Sequence, residues 1–171
     1  MDFKNKKVLI TGGCSGIGKI MARKSLERGA SNLIIWDINE EGLAKTKEEF
    51  ANFGKEISTY KVDVSNLDEI KNAAQRVRTE VGKVDILINN AGIVVGKYFH
   101  EHTHEEISRT MAINANAPMH LTLEFIEGML AQNSGHVCTI ASSAGLISNP
   151  KMSVYAASKW SAIGWSDSLR L

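Results

Sequence analysis

Thr11-Gly-Gly-Cys-Ser-Gly-Ile-Gly18 decides the fold of this chain. It follows a short apolar run, Lys7 to Thr11, and leads into Gly16 to Arg28, a segment with helical spacing that Gly29 closes. A glycine-rich turn between a strand and a helix lets the backbone approach a pyrophosphate, whose charge then meets the helix N-terminus. Gly12, Gly16 and Gly18 supply the turn, with Ser15 and Ile17 between them. Taken alone, such a triad fits a ligand-free strand-to-helix turn equally well, because short glycine motifs recur by chance. Cys14, inside the turn, reads as a small filler in preference to a redox switch.

Working outward, Asn32 to Trp36 is a second buried strand with Asp37 at its carboxyl end, followed by a charged helix, Glu40 to Asn52. Ile57 to Val62 alternates apolar and polar residues, as a strand nearer a sheet edge does. A helix from Asp68 to Val81, entered through Ser65-Asn66, precedes a fourth strand, Asp85 to Asn89. One long helix is expected from about Glu105 to Ala131, then a fifth strand, His136 to Ala141. A last helix starting at Tyr155 still runs at Arg170-Leu171. This alternation predicts an α/β fold: a doubly wound, Rossmann-type parallel sheet of order 3-2-1-4-5. Residues 1–171 form a single domain, with an expected truncation before the last strands that leaves Val137 and Ile140 on an apolar edge.

The composition supports one soluble domain: 171 residues, 43% hydrophobic, 23% charged, with a net charge of +1. That charge makes no case for nucleic acid or an anionic membrane. Apolar runs such as Leu33 to Trp36 are strand-sized, well short of a membrane span, and the N-terminus lacks the apolar stretch of a signal peptide. Two cysteines at unrelated positions fit reduced thiols. The expected location is the cytoplasm.

Four further groups of residues carry chemistry. Asp37 stands where an acid hydrogen-bonds the ribose 2′-hydroxyl of NAD, and a 2′-phosphate there would meet like charge. NAD is therefore expected over NADP. Tyr155 and Lys159 lie four apart, on one helix face. A nearby ammonium favours the phenolate of a tyrosine that is otherwise a poor base, with a pKa of about 10. Ile107, Met111, Asn114, Leu121 and Phe125 fall on one side of the long helix. Pro118 has no N–H, so the carbonyl of Asn114 loses its usual donor. His100-Glu-His-Thr-His104 could converge on a metal, but Thr103 and Glu106 form a capping box that puts His104 in a first helical turn.

Together, Thr11-Gly-x-x-x-Gly-x-Gly18, Asn89-Asn-Ala-Gly92, Ser142-Ser-Ala-Gly145 and Tyr155-x-x-x-Lys159 resemble the short-chain dehydrogenase/reductase family, over the whole chain. The resemblance implies an oxidoreductase moving a hydride between NAD(H) and an alcohol or carbonyl. It makes Tyr155 the general acid/base. Lys159 becomes the holder of the nicotinamide ribose, Ser142 (over Ser143) the substrate-oxygen donor, and Asn114 the carrier of a proton-relay water. Asp63 and Val64 are expected at the adenine. Asn89, Ala91 and Gly92 are expected at the adenosine ribose, although adjacent asparagines after a strand serve backbone pairing equally well. The implied substrate is a small, lipophilic alcohol or carbonyl compound, and the implied assembly a homodimer or homotetramer. The alternatives are a 3-oxoacyl thioester reductase of the same fold and a non-catalytic NAD(H)-binding or regulatory domain.

Overall fold

A computed structural model describes residues 2–169. Five strands form one parallel sheet in the order β3-β2-β1-β4-β5, flanked by helices on both faces. The strands are β1 (Lys7–Thr11), β2 (Asn32–Asp37), β3 (Glu56–Lys61), β4 (Ile86–Asn89) and β5 (His136–Thr139). The first connecting helices are α1 (Gly16–Glu27), α2 (Glu40–Phe50) and α3 (Leu67–Glu80). Then come α4 (His104–Met111), α5 (Ala117–Ala131) and α6 (Ser153–Ser168).

The period-2 alternation of the central strands sorts their side chains onto two cores. Val8, Ile10, Leu33, Ile35, Ile86 and Ile88 face α1 and α2, where Ala22, Leu26, Leu43 and Phe50 cover them. Leu9, Ile34, Trp36 and Leu87 face the other way, onto α3 and α5, where Trp36 meets Phe125 edge-on at 6.0 Å. Trp36 is fully buried. Burial of a side chain of this kind stabilises by roughly 1.5–3 kcal/mol.

The last helix starts two residues earlier than the sequence pattern suggests, at Ser153, so Tyr155 lies in its first turn. Its expected continuation through Arg170-Leu171 lies outside the described residues. The fifth strand ends at Thr139, short of Ala141. The largest difference is in the long helix, which is divided by a π-helical turn over Ala112–Asn116, where Ala117 N–H bonds the Ala112 carbonyl. Pro118 stands just beyond it and can donate no bond back along the helix, so a wider turn absorbs the mismatch. The inserted residue rotates the buried stripe. Thr110 is fully buried, while Ile107 and Met111, expected on the apolar side, are only half-buried.

β5 differs from its neighbours. β4 is buried throughout, whereas β5 is half-exposed, and among the described residues no strand pairs with its outer side. A groove lined by Leu130, Val137 and Ser166 runs beside it.

Candidate active site

Three of the four glycines in the first turn, Gly12, Gly16 and Gly18, serve two physical needs. Gly12 and Gly16 adopt φ +65° and +49°, in the left-handed region that side chains disfavour. Gly18 is needed for closeness: a Cβ there would lie 2.1 Å from the Gly12 carbonyl oxygen. The strand-to-helix turn is therefore tight by construction, and the N–H groups at the start of α1 are left for a ligand.

Asn90 holds that turn from across the sheet. Its Nδ2 donates to the carbonyls of Thr11 and Gly12 at 2.9 and 3.2 Å. Thr11 Oγ1 reciprocates by accepting from Asn90 N and Ala91 N, both at 3.0 Å. Of the two adjacent asparagines, the sequence reading puts Asn89 at the ligand. Asn89 instead points into α5 and is buried, with its Nδ2 near Thr122 Oγ1 at 3.3 Å and the Pro118 carbonyl at 3.5 Å. Alternation along β4 turns one asparagine to the core and the next to the cleft.

A cavity of about 360 Å³ lies at the carboxyl ends of the strands, where open α/β sheets hold ligands. Gly12, Ser15, Gly16, Ile17 and Gly18 form one wall, Asp37, Asp63 and Val64 another, and Ala91 and Gly92 a third. Each of these was singled out in the sequence. Asn90, the second asparagine of the Asn89-Asn-Ala-Gly92 segment, also lines it, as do Ile93, Arg109 and Ile113, which the sequence did not single out. Arg109 and Ile113 come from α4 and the π-helical turn, distant in sequence, and no local pattern marks them.

Asp37 is held from both sides. One carboxylate oxygen accepts Cys14 N at 3.3 Å and the other accepts Asn39 N at 3.1 Å. Cys14 is buried, and its thiol is pushed up to about 12 by burial and by the Asp37 carboxylate, so it is inert near neutral pH. Asp63 accepts from Ser65 N and Oγ at 2.9 and 2.7 Å. Burial pushes the Asp63 carboxyl up, but the Ser65 donors and the positive field of Arg109 outweigh it and hold it below its ordinary value.

The chemical residues converge at Gly92. A Cβ on Gly92, a residue of the cavity wall, would lie 3.3 Å from Asn114 Oδ1 and 3.7 Å from Lys159 Nζ, so both groups stand directly behind that wall. Lys159 is 5% exposed, and its Nζ donates to the Ile140 carbonyl at 2.8 Å. Burial holds its amine below the ordinary lysine range. The amine has three donors, and among the described residues it has no carboxylate partner. It sits 5.8 Å from the centre of the Tyr155 ring.

Asn114 is almost wholly buried and ties three segments together. Its Oδ1 accepts Ile93 N at 2.9 Å, and its Nδ2 donates to Ile93 O at 2.8 Å and Ser158 Oγ at 3.0 Å. Ser158 Oγ in turn donates to the Tyr155 carbonyl at 2.6 Å. Both amide protons of Asn114 are thus consumed by structure. Ser142 caps the short turn Ser143–Gly145 by accepting Ala144 N at 3.2 Å. That turn packs hard on α6, since a Cβ on Gly145 would lie 2.6 Å from Ile163 and 2.8 Å from the Lys159 carbonyl. Ser142 is half-buried, while its rival Ser143 is exposed.

The three histidines do not converge. His100 stacks on Tyr98, His102 is buried next to Glu106, and His104 begins α4. Thr103 and Glu106 form the expected capping box. Among the described residues no cluster of three or more His, Cys, Asp or Glu could hold a metal, and no helix is long and apolar enough to cross a membrane.

A parallel sheet of this order, with a glycine-rich turn and a Tyr-x-x-x-Lys helix at its carboxyl edge, defines a class of dinucleotide-binding proteins. The chain belongs to the short chain dehydrogenase family, which it matches over residues 6–171. It is 39% identical to estradiol 17-beta-dehydrogenase 11 of Macaca fascicularis, over 95% of this chain and 54% of that protein. It is 38% identical to retinol dehydrogenase 10-A of Danio rerio, over 94% of this chain and 54% of that one. The chain thus spans about half the length of these relatives. Two solved structures superpose closely. A short-chain dehydrogenase/reductase from Burkholderia phymatum in complex with NAD gives a TM-score of 0.94 at 32% identity, covering 99% of this chain and 60% of that one. A metagenomic short-chain oxidoreductase in complex with NADP gives 0.92 at 31% identity, covering 98% and 76%.

Proposed function

We propose that this chain carries the cofactor-binding and catalytic parts of a nicotinamide-dependent dehydrogenase that interconverts a secondary alcohol and its carbonyl, with NAD(H) preferred. The observation that carries the reading is the junction at Gly92, a wall residue of the cavity at the strands' carboxyl ends that has Lys159 and Asn114 directly behind it. The buried and incompletely satisfied Lys159 amine fits ribose hydroxyls and a phenolate as its missing partners. The relatives named for estradiol and retinol support a lipophilic alcohol as the substrate class.

The Gly12–Gly18 turn, Asp37 and Lys159 would hold a nicotinamide cofactor, which would supply hydride transfer to or from the alcohol carbon. The chain's own task is the proton. In the oxidation direction, the Tyr155 oxygen accepts the hydroxyl proton as the C–O bond becomes a carbonyl. The Lys159 ammonium favours the phenolate that accepts it. Ser142 donates to the substrate oxygen and steadies the charge developing there. With the Asn114 side chain fully engaged, its main-chain carbonyl is the group that would hold a relay water, since Pro118, four residues on, has no N–H to give it.

The NAD preference rests on Asp37, held in place by two backbone amides and set on the cavity wall. A 2′-phosphate would be pressed against this carboxylate. Titration with NADH and NADPH, followed by nicotinamide fluorescence, tests the preference. NADH is expected to bind more tightly, and Asp37→Ala should narrow the ratio by about tenfold, within the several kcal/mol that like charges cost at contact. Tighter NADPH binding by the unaltered chain would overturn the assignment.

A further inference from the structure

The cavity at the strands' carboxyl ends extends well past the glycine turn. The sheet order β3-β2-β1 lays its wall out in steps: the turn follows β1, Asp37 ends β2, and Asp63 and Val64 follow β3. Two strand spacings, about 10 Å, separate the turn from Asp63 across the sheet. A dinucleotide with its pyrophosphate on the turn and a ribose at Asp37 therefore brings its base to the end of β3. There the wall is apolar at Ile38, Val62, Val64 and Ile113, and charged at Asp63 and Arg109.

These two charged residues have bonding capacity unspent. Both donors from Ser65 fall on Asp63 Oδ1, which leaves Oδ2 without a hydrogen-bond partner among the described residues. Arg109 is close enough for its charge to act on Asp63, yet no hydrogen bond or ion pair joins the two. Its guanidinium bonds no other described residue either, whereas Arg23, Arg76 and Arg78 each hold a carboxylate. Arg109 lies on α4, exposed, four residues before Ile113. A guanidinium is planar and packs its face on aromatic rings. A free acceptor and a planar cation that share a wall without bonding each other match a flat ring carrying an amino group. The amino group would donate to Oδ2, and the guanidinium would cover the ring.

On the dehydrogenase reading, which supplies the ligand, we propose that Arg109 is a further cofactor-binding residue, a clamp that folds its guanidinium over the face of the base held at Asp63. It acts through its plane on the base, and leaves the phosphates to the glycine turn.

Calorimetric titration of the full chain with ADP-ribose, which carries the base and both phosphates but no nicotinamide, tests the clamp without any turnover. Arg109→Ala should weaken binding roughly two- to fivefold, the worth of a cation on a ring face at an exposed site. Arg109→Lys keeps the charge without the plane, and should recover little of that loss. The ratio between unaltered chain and variant should hold from low to high salt, because packing on a ring is screened far less than an exposed phosphate contact. Undiminished affinity in Arg109→Ala would overturn the clamp and leave the dinucleotide reading standing. Full rescue by Arg109→Lys, or a loss that vanishes in high salt, would make Arg109 a phosphate-seeking charge and overturn the clamp as well. If the unaltered chain binds no ADP-ribose the clamp falls, and if it binds no NADH either, the dinucleotide reading falls with it.

Discussion

The two halves of this molecule are finished to different degrees. On the nucleotide side, β1, β2 and β4 are buried on both faces, and the turn is cross-braced by Asn90, Thr11 and the amides that hold Asp37. On the chemical side, β5 is half-exposed, and Leu146, Ile147 and Trp160 stand in solvent. A few specific contacts anchor α6 there: Asn114 to Ser158, Gly145 against Ile163, and Lys159 to the Ile140 carbonyl. The proposed cofactor side is thus built from residues that already cover one another, whereas the proposed substrate side carries exposed apolar side chains. Substitutions on the first side should therefore act on binding, and those on the second on turnover.

The sharpest way to break this contrast is Tyr155→Phe, which keeps the ring and removes the proton carrier. Turnover of any oxidised alcohol should fall by about 10²–10⁴-fold, the usual value of a positioned acid/base. NADH affinity should stay within about twofold by the same logic of separated roles. Substantial residual turnover would move the chemistry to another residue.

On the nucleotide side, Gly18→Ala forces a methyl onto the Gly12 carbonyl at 2.1 Å. Parting α1 from the turn should cost about 1–3 kcal/mol of stability, typical of overpacking, and weaken NADH binding by about tenfold or more. Thermal melts with and without NADH would show both effects. A variant with unchanged NADH affinity would mean that the tight turn is not the binding element.

Asn114→Ala tests the boundary between the halves. It leaves Ile93 and Ser158 partners unpaired, at about 1–3 kcal/mol. Steady-state kinetics alongside NADH titration should show turnover falling several times more than affinity, since a relay acts on proton transfer. Equal losses in both would make Asn114 a structural residue alone.

The smallest effect concerns pH. Burial lowers the Lys159 pKa in the folded chain below its ordinary value of 10.5. Between the lowered value and 10.5 the unfolded chain holds a proton that the folded chain has lost. Cofactor-free stability should therefore rise with pH across that window. Denaturant titration at several pH values would show the rise, and Lys159→Met should remove it.

Much of this was legible in the sequence because the signals are local. A buried parallel strand needs a continuous apolar run, a tight turn needs glycine, and a helix start needs a cap, so Lys7–Thr11, Gly12 to Gly18 and the Thr103–Glu106 box announced themselves. The long helix was harder. Pro118 marked a disturbance, but a π-helical turn at Ala112–Asn116 depends on how Asn114 is pulled by Ile93 and Ser158, which come from other elements. Arg109 on the cavity wall carried no signal at all.

Family, sheet order and the candidate Gly, Asp, Ser, Tyr and Lys residues follow from the sequence by itself, since each depends on residue types at short spacing. Only the tertiary structure decided that Asn90 and not Asn89 faces the cleft, that the Asn114 side chain is consumed in bracing, and that Arg109 joins Asp63 on the cavity wall. Those outcomes turn on which segments meet across the sheet's carboxyl edge. Contacts between residues twenty to eighty positions apart leave no periodicity along the chain for a reader to find.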